Sequence, residues 1–247
     1  MLAVDLPLLS IASEDQSDCD SLLMVLGGRA PAAHWLRELD FGGEVWAVDR
    51  GIRVCRDAGI VPSLLIGDFD SADDESLRWA KAENVPILSY KADKDLTDFK
   101  LALDILRERS ADEDRARPKR LFLTGALGGR LDHLYSIVMS FASAEPPIIP
   151  FCAADDREGL LIMRGRSSFS FSFDAAPKAV SLFALSEVCG DVSITGTRWP
   201  LDGVTLCRDF PYSVSNRFDG GGDLRADVSC GSGTLCFYWV WDESALK

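Results

Sequence analysis

The sequence predicts an α/β protein in two parts: a parallel sheet flanked by helices over residues 1–145, and an antiparallel β-sandwich or barrel over residues 151–247. Three observations predict it. In the first part short apolar runs alternate with amphipathic ones, the pattern of strands and helices in turn. After Met139 the texture changes, and Glu145-Pro-Pro-Ile-Ile-Pro150 interrupts the helical pattern as a linker would. Beyond it, short alternating runs are separated by Gly, Pro, Asn and Asp, as in compact antiparallel folds.

Each element has its own justification. Apolar runs place strands at Leu22–Leu26, Val45–Val48, Leu64–Ile66, Pro86–Ser89 and Leu121–Thr124. Phe99, Ala102, Leu103 and Leu106 stand at the i, i+3, i+4, i+7 spacing of one buried helix face. Ser71 with Asp74 resembles a capping box, opening a helix that runs to about Glu83. In the second part strands are expected at Ser168–Phe173, Val180–Leu185, Val192–Thr195, Val204–Leu206 and Leu235–Trp241. The region before Leu22 carries no recognisable signal, and the charged stretch Arg107–Arg120 reads as a solvated loop. No fixed-period repeat or low-complexity tract is present.

Composition narrows the function. With 47% hydrophobic and 26% charged residues in 247, the chain has the balance of a soluble globular protein. A formal net charge of −13 argues against nucleic acid or an anionic membrane as the main partner, and favours a cationic ligand. Handling polyphosphate would then require a metal or a local cluster of Arg and Lys. The seven cysteines include no C-x-x-C pair, which argues against a disulfide framework or structural zinc and fits a reducing cytoplasm. Met1 to Ser10 has no basic n-region, so no signal peptide is expected, and no apolar stretch approaches a membrane span. His34 and His133 are too few for a histidine-rich metal centre.

In parallel sheets ligands bind at the carboxyl ends of the strands. Four polar segments fall there: Asp49-Arg50-Gly51, Gly67-Asp68-Phe69-Asp70-Ser71, Lys94-Asp95-Leu96-Thr97-Asp98, and Gly125 through Gly128-Gly129-Arg130 to Asp132-His133. A strand that ends in Asp-x-Asp sets Asp68 and Asp70 side by side, by period-2 alternation, and turns Phe69 into a core. Two such carboxylates repel unless a cation lies between them, and hard oxygen ligands beside phosphate suit Mg²⁺. A plain turn with a helix cap would use the same residue types. Thr97 is placed to cap the following helix; Asp98, in its first turn, either complements the helix dipole or joins the cation site. Glycines in the fourth segment let backbone N–H groups approach an anion, and Arg130 has the fork geometry to clamp phosphate oxygens. His133 suits that site or a helix cap, and Leu26-Gly27-Gly28 suits phosphate contact or a tight strand–helix connection.

Taken in order and spacing, Asp49-x-Gly51, Gly-Asp-Phe-Asp-Ser, Asp95-Leu-Thr97-Asp98 and Gly-Gly-Arg-Leu-Asp-His resemble the thiamine pyrophosphokinase family. Gly196-Thr-Arg-Trp199-Pro-Leu and Val214-Ser215-Asn216 extend the resemblance into the second half. It implies a Rossmann-like N-terminal domain that binds nucleotide and metal, a C-terminal β-sandwich that binds thiamine and dimerises, and a homodimer. It also implies transfer of the pyrophosphoryl group of ATP to the hydroxyl of thiamine, releasing AMP. Under the resemblance, Asp68, Asp70 and Asp98 would hold Mg²⁺ with Asp95 nearby, all four acting at the catalytic centre. Asp49, Thr97, Gly128, Gly129, Arg130, Asp132 and His133 would serve ATP. Trp199 would stack on thiamine, and Ser215 and Asn216 would contact its pyrimidine. One position departs from the family pattern: Arg50 stands where a second residue of an Asp-Gly-Gly turn is usual, either touching phosphate or pointing to solvent. Two other readings of the residues are a metal-dependent phosphatase with Asp68 or Asp70 as nucleophile, and a non-catalytic thiamine or nucleotide sensor.

Overall fold

A computed structural model describes residues 2–15, 17–39, 42–69, 73–90, 97–112, 117–219 and 222–242. It divides into two compact units, Asp18–Asp155, and Met1–Ser17 together with Asp156–Lys247. The first residues therefore group with the β-rich part, a difference from the expected N-terminal boundary. The cause is pairing: β1 (Leu2–Leu6) joins β2 (Leu9–Ser13), and β2 then lies against a strand from the far end of the chain, burying Leu9 and Ile11.

The α/β unit runs β3 (Asp20–Val25), α1 (Ala33–Glu38), β4 (Glu44–Val48), α2 (Gly51–Ala58), β5 (Leu64–Gly67), α3 (Asp74–Ala82), β6 (Ile87–Ser89), α4 (Asp98–Asp112), β7 (Lys119–Thr124), α5 (Leu131–Ala142) and β8 (Ile148–Ala154). The strands pair in parallel in the order β8-β7-β3-β4-β5-β6. Leu22, Met24, Ala47, Leu65, Ile66 and Leu121 are wholly buried, as strands covered on both faces require. From β3 the chain steps outward to β6 and then returns to β7 on β3's other side. The carboxyl rim around that reversal is where such sheets bind ligands.

Helix signals held with one change of cap. The expected face of α4 is buried at Phe99, Ala102, Leu103 and Leu106. For α3 the cap is Asp73, whose carboxylate accepts from the Ser76 backbone N–H at 2.8 Å, while Ser71 lies outside the described residues. The expected linker at Glu145–Pro150 is shorter than the sequence indicated, because β8 begins at Ile148. Pro150 is accommodated there by a bulge: Leu121 pairs with Pro150 but Phe122 with Cys152.

The second unit is antiparallel throughout its named pairings. Its later strands are β9 (Glu158–Arg164), β10 (Ser167–Phe173), β11 (Ala179–Ala184), β12 (Val188–Thr195), β13 (Leu201–Cys207), β14 (Arg225–Cys230) and β15 (Thr234–Val240). One set is ordered β1-β2-β10-β14-β12-β13, and β11, β15 and β9 form the other. The sets meet where buried Phe171 of β10 packs on Phe237 of β15, ring centroids 4.1 Å apart. Phe171→Ala should cost about 3–5 kcal/mol in denaturant unfolding. A loss below about 1 kcal/mol would show that the sets do not depend on this ring.

Candidate functional site

At the carboxyl rim of the parallel sheet three turns press backbone against backbone. Gly28 N–H donates to the Gly125 carbonyl at 2.7 Å, Leu26 N–H to Thr124 at 2.8 Å, and Arg29 N–H to Leu127 at 3.2 Å. A Cβ at Gly51 would stand 1.9 Å from the Val25 carbonyl oxygen, and one at Gly125 would stand 2.2 Å from that of Leu26. Neither position can carry a side chain. Arg50 is different: its backbone is right-handed helical (φ −61°, ψ −10°), so no glycine is needed there. Its side chain is 60% exposed, with Nε 3.9 Å from Asp49 Oδ2. Arg50 thus points largely to solvent while flanking Asp49.

The acidic residues gather on the adjoining strand ends. Asp49, in the left-handed region at φ 48°, donates its N–H to Ile66 O at 2.7 Å, which brings it beside Gly67 and Asp68. Thr97 caps α4, its Oγ1 accepting from the Lys100 N–H at 3.2 Å, and Asp98 opens the helix. Burial, then the charges of Asp49 and Asp68, push the Asp98 carboxyl above its ordinary range. The carboxylates that follow β4 and β5 thus act on the one that opens α4. Among the described residues no three His, Cys, Asp or Glu side chains are already drawn around one point as a metal centre. Asp70 and Asp95 lie outside the described residues. The alternation argument for Asp68 and Asp70 does not hold, because β5 ends at Gly67 and Phe69 turns to φ 63°. Phe69 is half-buried.

The glycine-bearing β7–α5 loop continues the rim, with Gly128 at φ 69° and Gly129 at φ 77°. Arg130 precedes α5, and its Nη2 donates to Asp132 Oδ2 at 2.5 Å; both side chains are well exposed. That contact with Arg130 holds the Asp132 carboxyl down at about 2. The His133 backbone N–H also donates to Asp132, at 3.0 Å, and the His133 side chain is exposed. Arg29 is a residue that sequence reasoning missed. Its guanidinium donates twice to Asp155, 126 positions away, and no local motif signals so distant a partner.

In the β unit Trp199 is 51% exposed, and the guanidinium carbons of Arg198 and Arg217 lie 5.3 and 5.4 Å from its ring centroid. Its immediate surroundings are thus basic, although the chain as a whole is acidic. Asn216 is buried and acts as a clamp. Its Nδ2 donates to Thr197 Oγ1 (2.9 Å) and Trp199 O (2.7 Å), while Oδ1 accepts from the N–H groups of Trp199 (3.1 Å) and Arg217 (2.9 Å). Its main chain exchanges both hydrogen bonds with Val180, at 2.8 Å each. Ser215 is exposed at φ 60°, with its N–H donating to Ser181 Oγ at 3.0 Å. Trp199, Ser215 and Asn216 thus share one loop cluster, in which Asn216 holds Trp199 and Ser181 holds Ser215.

Comparison with known proteins agrees with both halves. The model of the thiamin pyrophosphokinase catalytic domain matches residues 44–151, and that of the thiamin pyrophosphokinase vitamin B1 binding domain matches residues 169–235. The thiamine pyrophosphokinase of Bacillus subtilis (strain 168) is 28% identical over 166 residues, 65% of this chain and 74% of that protein. A crystal structure of thiamine pyrophosphokinase from Bacillus subtilis superposes with a TM-score of 0.72 at 24% identity, covering 90% of this chain and 99% of that one. For the thiamin pyrophosphokinase of Geobacillus thermodenitrificans the TM-score is 0.69 at 26% identity, over 91% and 99%.

Two outcomes follow from the geometry. The Asp98 pKa is higher folded than unfolded, so its charge costs stability at neutral pH and nothing once both states are protonated. Asp98→Asn should raise the thermal midpoint at pH 7 in EDTA, with the gain fading below about pH 3. A lowered midpoint at pH 7 would mean that the fold favours the carboxylate. Asn216→Ala should speed amide hydrogen exchange at Trp199 and Arg217 at least tenfold; unchanged exchange would remove Asn216 as the clamp.

Proposed function

The chain belongs to the thiamin pyrophosphokinase family, and on that premise we propose that its acidic rim receives Mg²⁺ and ATP while its Trp199 loop receives thiamine. The reaction transfers the pyrophosphoryl group of ATP to the hydroxyl of thiamine, giving thiamine diphosphate and AMP. The observation that carries the site assignment is the meeting of Asp49, Asp68 and Asp98 with the glycine turns on one rim. Family membership supersedes the phosphatase and sensor readings. We read the α/β unit as a Rossmann-like nucleotide domain and the β unit as a β-sandwich that binds thiamine and dimerises. Exposed Phe210, Tyr212 and Val214 support a homodimer, since a lone domain gains nothing by presenting them to water. All seven cysteines are free thiols, in keeping with a cytoplasmic setting.

Chemically, the thiamine hydroxyl oxygen attacks the β-phosphorus of ATP, the bond to the α–β bridging oxygen breaks, AMP leaves with that oxygen, and the hydroxyl proton passes to solvent. Such transfers need positioning and stabilisation of charge on phosphate oxygens. Asp68, Asp70 and Asp98, with Asp95 as a further candidate, are the residues that would hold Mg²⁺: their hard oxygens fit it, and a cation would offset the burial and the Asp49 and Asp68 charges that raise Asp98. Mg²⁺ bound there supplies counter-charge to phosphates and carboxylates alike. The N–H groups around Gly128 and Gly129 and the N-terminus of α5 offer donors to phosphate, alongside Asp49, Thr97 and His133 on the nucleotide side. Arg130 must exchange Asp132 for phosphate to serve as a clamp. Around Trp199 the two guanidiniums already occupy cation–π positions, which favours stacking on the neutral pyrimidine over the positive thiazolium. Ser215 is exposed beside it as a further contact.

Purified protein with ATP, Mg²⁺ and thiamine should release AMP and thiamine diphosphate in equal amounts; ADP as the only nucleotide product would overturn the reading. Asp68→Asn and Asp70→Asn should each lower kcat at least about a hundredfold with folding intact. Trp199→Ala should raise the KM for thiamine roughly tenfold while leaving that for ATP unchanged. An unchanged thiamine KM would remove Trp199 from the pocket.

A further inference from the structure

We propose that Arg29, locked by the buried carboxylate of Asp155, is a positioning residue that sets the shape of the phosphate-binding β7–α5 loop. Arg29 directly follows Gly28 in the β3–α1 turn. Its Nε and Nη2 donate to Asp155 Oδ2 at 2.9 and 2.5 Å. The Asp155 side chain is 1% exposed and that of Arg29 25%. A charge so deeply buried is tolerated only with its partner in place, so the pair fixes the guanidinium in one position.

That position is against the loop. A Cβ at Gly128 would stand 2.9 Å from Arg29 Nη1 and 3.2 Å from its Cβ, so the arginine is the surface on which Gly128 rests. On the main chain, Arg29 N–H donates to Leu127 O at 3.2 Å, gripping the residue just before. Side chain and backbone of one residue thus bracket the entry to Gly128-Gly129-Arg130. The next element is α5, twelve residues long, whose N-terminal N–H groups would serve the phosphates that the loop binds. Both members of the pair fall outside residues 44–151, the span matched by the catalytic-domain model, Arg29 before it and Asp155 after it. Asp155 ends the α/β unit immediately after β8 and acts through Arg29 in this role.

The inference rests on the reading that this loop binds the phosphates of ATP, and the test separates the two. Arg29→Lys keeps a positive partner for Asp155 but removes the planar fork against Gly128. Arg29→Met combined with Asp155→Leu removes the pair without stranding a buried charge. Steady-state kinetics should show an ATP KM raised about tenfold in both, a thiamine KM within twofold of wild type, and thermal midpoints close to wild type in the double variant. Arg130→Ala and Gly129→Val serve as direct probes of the loop. If they raise the ATP KM and the Arg29 variants do not, the positioning role is overturned and the loop reading stands. If none of the four changes the ATP KM, both fall. Equal losses for ATP and thiamine, tracking a lowered thermal midpoint, would make the pair merely structural and also overturn the proposal.

Discussion

At the carboxyl rim of the parallel sheet, main chain lies against main chain with no room for a side chain between. The β4–α2 turn touches the end of β3 at Gly51, and the β3–α1 turn is bonded to the β7–α5 loop through Gly28 and Gly125. This contact decides where everything else in the α/β unit can stand. With Gly51 seated on Val25, Asp49 is held at the tip of β4 beside Asp68; with Gly125 seated on Leu26, the glycine loop is held on the same rim. Arg50 illustrates how local the constraint is, since a bulky cation is accommodated one residue away from a position that admits only glycine.

The rim that this packing builds is electrostatically unfavourable in isolation. Asp49, Asp68 and Asp98 share a partly desolvated space, and the carboxyl of Asp98 is pushed up as a result. Concentrating like charge costs stability and is retained where a cationic ligand repays it, a pattern typical of functional sites. In a chain of net charge −13 the groups that meet phosphate must be local, and those we propose for it are the glycine-loop N–H groups and Arg130.

The β unit solves a different problem, presenting a large indole to solvent from an anchored backbone. Asn216 does so by spending both amide hydrogens and accepting two backbone N–H groups, all within the Thr197–Arg217 cluster. Its side chain is thereby fully engaged, which leaves Trp199 and its exposed neighbours as the accessible groups of this cluster. Arg198 and Arg217 over the ring reverse the local charge that the acidic whole would imply.

Much of this was written in the residues. Burial on both faces makes strands such as Leu64–Gly67 and Lys119–Thr124 plain apolar runs, and the 3.6-residue period of Phe99 to Leu106 marks a helix face, so the α/β alternation was legible. The ordered acidic and glycine motifs likewise identified the family. Other features were not legible, because they depend on partners far away in sequence. The β1–β2 hairpin is too short to declare itself and exists by pairing β2 with β10; β8 carries a proline that only a bulge against β7 accommodates. The spacing of Asp68 and Asp70 implied a shared face, but the backbone of Phe69 leaves the strand first. Arg29 and Asp155 are 126 positions apart and unremarkable singly. The sequence by itself determined which chemical groups the protein has and the local periods that fold them. Only the tertiary structure decided which of those groups face one another, because contact between distant residues is set by the packing of whole elements and leaves no local pattern to read.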